Sequence, residues 1–302
     1  MVTEVYFEVE NNCLLNCKHC SSYSLKGIKQ RGYGLEDIKN FLDVLDDPIH
    51  VYLTGGEPLL NGNNLEMIRD LNEYRSNLNI GIFTCGIIEK NGILSNISYP
   101  EALKLRESGL KNCYVSVYHY DYKKHEEITN LEGSFDLTML SIKNMLLAGV
   151  MVKVHLVINR FNVNCLDETI RVIASLGVQE IRILRIVETG NAIKNWDTIG
   201  VSYSEQNAAV VRVINKLHTY PIKITVSGFP DLTPCRPFEG AVKCQGGTNV
   251  MYTTFEGEIY PCACTKKRDE FSICNISEIN KILEYRKSIG CKFNDKCLNP
   301  ST

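Results

Sequence analysis

Six short apolar runs, each followed by a stretch with helical spacing, constrain the fold of this chain more than any other feature. The runs are Val5–Val9, His50–Leu53, Asn79–Phe83, Asn112–Val117, Met151–Ile158 and Glu180–Ile186. Between them, sets such as Leu35, Ile38, Phe41, Leu42 and Leu45, or Leu137, Leu140, Met145 and Leu146 before Gly149, fall on one helical face. Strands that alternate with helices build a parallel sheet, because each crossover returns the chain to the same end of the sheet. Six units in about 190 residues fall short of the roughly 250 that a closed eight-unit barrel takes. The spacing therefore predicts an α/β fold, a partial (β/α)6 TIM-like barrel.

Past Thr189-Gly190 the alternation stops. A helix near Tyr203–Tyr220 and a short strand near Ile222–Ser227 lead into a different composition, and seven of the thirteen cysteines lie between Cys235 and Cys297. The reading divides the chain into a core at 1–190, a connector helix and strand at 191–234, and a small cysteine-rich domain of β-hairpin and helix at 235–302. Residues Met1–Val9 carry acids among their apolar side chains and no basic leader, and no later run approaches the roughly 18 apolar residues of a membrane span. The expectation is a cytoplasmic protein, where thiol buffers keep cysteines reduced, so cluster or metal ligation explains them better than disulfides. A net charge of -2 with no basic footprint gives no reason to expect a nucleic-acid or membrane partner.

Cys13, Cys17 and Cys20 follow the first strand in the run Asn12-Cys-Leu-Leu-Asn-Cys-Lys-His-Cys-Ser21. Three thiolates on one tight loop can hold three irons of a 4Fe-4S cubane and leave the fourth open, whereas such cubanes are normally held by four cysteines. The alternative is a zinc knuckle. Structural zinc wants four closed ligands, and His19, the only candidate for the fourth, is crowded by Cys20.

This loop resembles that of the radical S-adenosylmethionine superfamily, C-x3-C-x2-C after strand one, with His19 in the place of the usual aromatic or histidine. The resemblance implies one cluster on Cys13, Cys17 and Cys20 whose open iron takes the amino and carboxylate groups of S-adenosylmethionine. It also implies reductive cleavage of that cofactor to a 5'-deoxyadenosyl radical. Leu53-Thr-Gly-Gly-Glu-Pro-Leu59 resembles the family's GGE motif: Gly55 and Gly56 let the backbone approach a ligand, and Glu57 accepts from an ammonium group. Thr84-Cys85-Gly86 stands where the family often has Thr-Asn-Gly, and Cys85 departs from that pattern. Ser116 resembles the family's ribose contact, and Asn159, Arg160 and Arg185 are polar groups at the strand ends where parallel sheets place ligand contacts.

In the C-terminal segment, Val250-Met-Tyr-Thr-Thr and Ile259-Tyr-Pro-Cys262 read as a hairpin turning at Gly257, and Asn275-Ile-Ser-Glu278 as a capping-box-like helix start. This segment resembles the SPASM and twitch extensions, including their Gly-x4-Cys at Gly257 and Cys262. The full SPASM form needs more cysteines than follow the helix here. The resemblance implies one auxiliary 4Fe-4S cluster on Cys244, Cys262, Cys291 and Cys297, with a structural zinc site as the alternative. Cys235, Cys264 and Cys274 remain over. Cys235 can replace one of the four ligands, and the resemblance to peptide epimerases, whose spare cysteine directly follows the ligand whereas here Ala263 intervenes, implies a hydrogen-atom donor role for Cys264, with Cys274 as its competitor and a buried or spare-ligand thiol as the alternative. Cys113 and Cys165 read as small buried apolar residues.

Proteins with these extensions mostly modify ribosomally made peptides by crosslinking or epimerisation. The expected substrate is a precursor peptide, with room for a separate leader-binding protein and with a flavodoxin or ferredoxin as electron donor. A small-molecule dehydrogenase of the twitch type is the second expectation, favoured by the compact length and by the lack of a leader-binding segment before strand one. A noncatalytic iron-sulfur electron carrier is the third, and such a carrier would not need the Gly55-Gly56-Glu57 site.

Overall fold

A computed structural model describes residues 3–22, 30–46, 49–229, 232 and 245–287. Its elements run β1 (Thr3–Glu10), α1 (Leu35–Asp43), β2 (Ile49–Gly55), α2 (Asn63–Tyr74), β3 (Asn79–Thr84), β4 (Ile87–Lys90), β5 (Ile93–Asn96), α3 (Tyr99–Glu107) and β6 (Asn112–Ser116). Then follow α4 (Tyr122–Thr129), α5 (Ser134–Leu147), β7 (Met151–Val157), α6 (Leu166–Ser175), β8 (Glu180–Leu184), α7 (Asn191–Ile199), α8 (Tyr203–Ile214) and β9 (Lys223–Ser227). The hairpin β10 (Val250–Thr253) and β11 (Glu258–Tyr260), the short β12 (Cys274–Asn275) and α9 (Ile279–Lys287) come last. Among the described residues no helix is long and apolar enough to cross a membrane.

One sheet has the order β12-β11-β10-β1-β2-β3-β6-β7-β8-β9, parallel from β10 through β9. The six expected strands are all present and adjacent. Two strands join them from outside the core span: β9, at Ile222–Ser227 of the connector, pairs with β8 from Glu180↔Lys223, and β10 pairs parallel with β1 from Glu4↔Val250. A small hairpin, β4–β5, is an insertion that the alternation did not signal.

The strands alternate strictly between two kinds of face. Phe7, Val51, Leu53, Ile80, Ile82, Val115, Val152, Val154, Ile181 and Ile183 point outward into a core closed by the helices, among them Ile38, Phe41 and Leu42 of α1 and Ile68 and Leu71 of α2. The intervening residues point inward, and many of them are aromatic or charged. Tyr6, Tyr52, Phe83 and Tyr114 form a belt with ring centroids 5.2–5.6 Å apart, and His155 stacks on Tyr114 at 4.2 Å. Gly81 makes room for the belt, since a Cβ there would lie 2.6 Å from the Tyr52 ring.

The inward charges measure the curvature. β1 and β8 are five strands apart in the order, about 24 Å in a flat sheet at roughly 4.8 Å per strand. Yet Arg182 of β8 reaches Glu4 of β1 at 3.2 Å. The sheet is therefore curled into a partial barrel with that pair inside it. A second buried pair ties the C-terminal segment to the wall: Lys266 Nζ lies 2.8 Å from Glu8 Oε1 and 2.9 Å from Ser22 Oγ, while Tyr252 donates to Glu8 at 2.7 Å.

Removing one partner of a buried pair leaves an uncompensated charge, at a cost of about 3–5 kcal/mol. Lys266→Met should lower unfolding stability by that order in urea, and adding Glu8→Gln should recover part of the loss. A Lys266→Met protein as stable as the parent would show that the pair ties nothing down.

Candidate active site

The loop that leaves β1 is shaped by its own side chain and gripped by its neighbour. Glu10 Oε1 accepts from the backbone N–H groups of Asn11 and Asn12, both at 2.8 Å. From the end of β2, Gly56 N–H donates to Glu10 O and Glu57 N–H to Asn12 O, both at 2.7 Å. No side chain fits in that contact. A Cβ on Gly55, whose φ is +126°, would lie 2.1 Å from Glu10 O, and one on Gly56 would lie 2.0 Å from Asn12 O. The glycines thus let two stretches of backbone meet, where the sequence reading expected them to admit a ligand.

The loop is fastened on its far side as well. Lys18 N–H donates to Ile128 O at the end of α4, and Asn191 at the start of α7 donates through Nδ2 to Cys17 O and through its backbone to Cys20 O, at 2.8 and 2.9 Å. Asn191 escaped the sequence reading because a polar residue after Gly190 looks like an ordinary helix start.

So held, Cys13, Cys17 and Cys20 line one cavity of about 400 Å³ together with His19, Gly55, Gly56, Glu57, Ser116, Arg185, Cys262 and Cys264. None of the three loop cysteines is in a disulfide. Burial, and then the nearness of Cys20 and Cys13, push the Cys17 thiol up. The Cys17 thiol therefore needs a cationic centre beside it to become a thiolate, and the irons of a cubane provide one, which is the sense in which this donor set fits a 4Fe-4S cluster. Among the described residues no group of three or more His, Cys, Asp or Glu side chains is placed to hold a metal ion. A cubane takes each thiolate on a different iron.

Glu57 is buried and accepts three hydrogen bonds from the protein, which leaves one of a carboxylate's roughly four acceptor sites. Its Oε1 accepts from Thr84 Oγ1 at 2.8 Å and Leu59 N–H at 3.2 Å, and its Oε2 from Cys85 N–H at 2.7 Å. Burial pushes its carboxyl up, and these bonds offset part of the shift. His19 stands edge-on to Tyr118 at 4.4 Å, and its buried Nδ1 has no hydrogen-bond partner. Burial brings its pKa down to about 4, so the imidazole is neutral. Ser116 and Tyr118 line the same cavity, and Tyr118 packs in one cluster with Cys17. The guanidinium of Arg185 lies 5.5 Å from the Tyr203 ring, with its buried Nε unpartnered.

Two strand-end expectations do not reach the cavity. Asn159 closes its own turn, accepting from Phe161 N–H at 2.9 Å and donating to Val157 O at 3.0 Å, and Arg160 is exposed. In the C-terminal segment Cys262 and Cys264 sit on a turn closed by Thr265 N–H to Cys262 O. The neighbouring Cys262 side chain, and then burial, push the Cys264 thiol up against the opposing influence of Arg185 and Lys266. Cys274 is buried in β12 and is not among the cavity-lining residues. Cys113 is core, 3.7 Å from Met145 Sδ. Cys165 is not a core filler, because it is half-buried at the start of α6 with Sγ 3.1 Å from His119 Nε2. Cys235, Cys244, Cys291 and Cys297 lie outside the described residues.

A curled parallel sheet with a three-cysteine loop at the exit of its first strand, clasped by a Gly-Gly-Glu turn, defines an iron-sulfur enzyme class. The Radical SAM superfamily model matches residues 8–173, more than half of the sequence, and the chain belongs to that superfamily. Membership implies a 4Fe-4S cluster and S-adenosylmethionine. The chain is 24% identical over 281 residues to an AdoMet-dependent heme synthase of Oleidesulfovibrio alaskensis, covering 85% of this chain and 69% of that one. It is 28% identical over 268 residues to a probable GTP 3',8-cyclase of Sulfurisphaera tokodaii, covering 85% and 75%. Its fold is similar to SuiB of Streptococcus suis bound to S-adenosylmethionine, with a TM-score of 0.69 at 15% identity over 93% of this chain and 65% of that one. It is also similar to anSMEcpe with bound AdoMet, with a TM-score of 0.64 at 16% identity, covering 99% and 84%.

Changing Cys13, Cys17 and Cys20 together to Ala should remove about one four-iron cluster per chain and all S-adenosylmethionine cleavage. Iron analysis and 5'-deoxyadenosine assay check this, and residual 5'-deoxyadenosine would contradict the ligand set. Glu57→Ala should weaken cofactor binding about ten- to hundredfold, the equivalent of a charge-assisted hydrogen bond of about 1.5–3 kcal/mol. Equilibrium binding on the reconstituted protein measures it, and an unchanged dissociation constant would reduce Glu57 to a turn residue.

Proposed function

We propose that the chain is a peptide-modifying radical enzyme, with its cluster on Cys13, Cys17 and Cys20, and that it crosslinks or epimerises a ribosomally made peptide. When bound, the cluster and S-adenosylmethionine supply a 5'-deoxyadenosyl radical that takes a hydrogen atom from the substrate. The observation that carries the reading is the shared cavity: the cysteine loop, Glu57 and the Cys262–Cys264 turn all face one space of about 400 Å³. That is within the size range of ligand sites and suits one side chain better than a whole peptide. Glu57 accepts from an N–H of the cofactor's amino group, while His19 and Ser116 flank its nucleoside, and Gly55 and Gly56 hold the cysteine loop in place. The fold likeness to a SuiB structure that contains the precursor peptide SuiA supports a peptide substrate.

The proposal extends to the C-terminal segment as a twitch- or SPASM-like domain with one auxiliary 4Fe-4S cluster on Cys244, Cys262, Cys291 and Cys297. Cys264 then hands its thiol hydrogen atom to the substrate carbon radical. The resulting thiyl is restored by one electron from a flavodoxin or ferredoxin and one solvent proton. A separate leader-binding protein would present the peptide. The second reading is a small-molecule enzyme, favoured by the two relatives named for heme and GTP chemistry.

The test is anaerobic turnover in deuterated water with short peptides encoded beside the gene, and with a porphyrin or GTP as alternatives. Epimerisation should place one solvent deuteron at the inverted α-carbon, and Cys264→Ala should keep 5'-deoxyadenosine formation while losing that product. A product two hydrogens lighter without deuterium excludes epimerisation and points to a crosslink or a dehydrogenation. Turnover with the porphyrin or GTP and none with peptide would overturn the peptide reading.

A further inference from the structure

We infer that Cys85 is a fourth thiolate for the cluster loop: without S-adenosylmethionine it caps the iron that Cys13, Cys17 and Cys20 leave open, and the cofactor displaces it. The inference rests on the reading of those three cysteines as cluster ligands. Cys85 follows β3 directly, and its backbone is pinned on both sides. Its N–H donates to Glu57 Oε2 at 2.7 Å, its carbonyl accepts from Thr138 Oγ1 at 2.8 Å, and Gly86 N–H donates to Thr84 Oγ1 at 2.9 Å. Only the side chain is left to move. The thiol is buried on the wall of the cavity, in one packing cluster with Cys17 and with Cys13 and Cys20 against it. Its Sγ donates to Ile87 O at 3.8 Å.

That position is the argument. Cys85 lines the same cavity as the three loop cysteines and Glu57, packs in one cluster with those cysteines, and is tied through its backbone N–H to Glu57, the carboxylate proposed to receive the cofactor's amino group. Cys113 shows what a cysteine filler looks like in this fold: it sits in the main core against Met145 and away from the cavity. Cys85 instead stands where related motifs carry an asparagine, an amide that is a far poorer iron ligand than a thiolate. On capping, the thiol releases its proton and forms one iron–sulfur bond. When the cofactor's amino and carboxylate groups arrive, that bond breaks and the thiolate takes up a proton, with no change in the oxidation state of iron. A cubane with four thiolates has no exposed iron to lose, so the cap would protect the cluster between turnovers.

The test uses the full chain, reconstituted anaerobically and free of S-adenosylmethionine, as wild type, Cys85→Ala and Cys85→Asn. The asparagine variant keeps a polar group at the site should alanine disturb the turn. Mild ferricyanide oxidation strips an open iron and leaves a three-iron cluster, which electron paramagnetic resonance counts. Both variants should form it about tenfold more readily than wild type. They should also bind S-adenosylmethionine about tenfold more tightly, since a site blocked nine-tenths of the time loses that factor in apparent affinity. Equal three-iron yields and equal dissociation constants in all three proteins would overturn the cap. The ligand set is tested separately: if the Cys13, Cys17 and Cys20 triple variant kept its full iron, that set would fail, and the cap with it.

Discussion

The site hangs on a contact between two backbones. Gly56 and Glu57 donate to the carbonyls of Glu10 and Asn12, and the contact is possible only because neither Gly55 nor Gly56 carries a Cβ. It joins the exit of β1 to the exit of β2 directly ahead of Cys13. The same turn then aims Glu57 at Thr84 and Cys85, so a continuous line of hydrogen bonds crosses the exits of three neighbouring strands. The backbone contacts on both sides of the loop restrict its conformations, which lowers the entropy that binding must meet. A side chain at Gly56 would part the strands and release the cysteines and the carboxylate together.

Curvature follows from what the inward face carries. The Tyr6, Tyr52, Phe83 and Tyr114 belt packs ring against ring, and Arg182 lies 4.7 Å over Tyr114 while reaching Glu4. Bringing those charges together satisfies them away from water, which a flat sheet cannot do for residues five strands apart. The cavity runs from this inner end, where Glu4, Tyr6, Phe83, His155 and Arg182 line it, to the strand exits, where the loops bring the cysteines.

Much of this was legible in the sequence, and the limits have physical causes. The six strands could be read because their outward residues are almost all branched and apolar, and the cysteine loop and Gly-Gly-Glu turn because their spacing is specific. Periodicity announces a strand but not its partner, so nothing in Lys223–Ser227 or Val250–Thr253 revealed that these would extend the parallel ladder at β8 and β1. The acids of β1 were read as the mark of a segment that is no leader peptide. Their fuller meaning is alternation: Glu4 and Glu8 point inward with Tyr6, each answered by a partner from a distant strand or turn. Asn159 misled because a polar residue at a strand end can serve a ligand or its own turn, and Asn162 three residues on favours the turn by accepting the Asn159 N–H at 2.8 Å. Cys165 was read by residue type alone, which could not see His119 arriving from another loop.

The placement of β1 explains why the two cysteine-bearing loops keep a fixed relation. At its exit, Glu10 shapes the loop with Cys13, Cys17 and Cys20. One inward position earlier, the Glu8 carboxylate holds Lys266 and Tyr252 and accepts from Phe255 N–H at 2.9 Å, all from the C-terminal segment. Lys266 is two residues past Cys264, and it also reaches Ser22, two residues past Cys20. Two loops more than two hundred residues apart in sequence are thus set against one rigid strand by buried, charge-assisted bonds. Chemistry that passes a hydrogen atom across a cavity needs its partners at a constant separation, and one strand that supports both sides is a simple way to provide it.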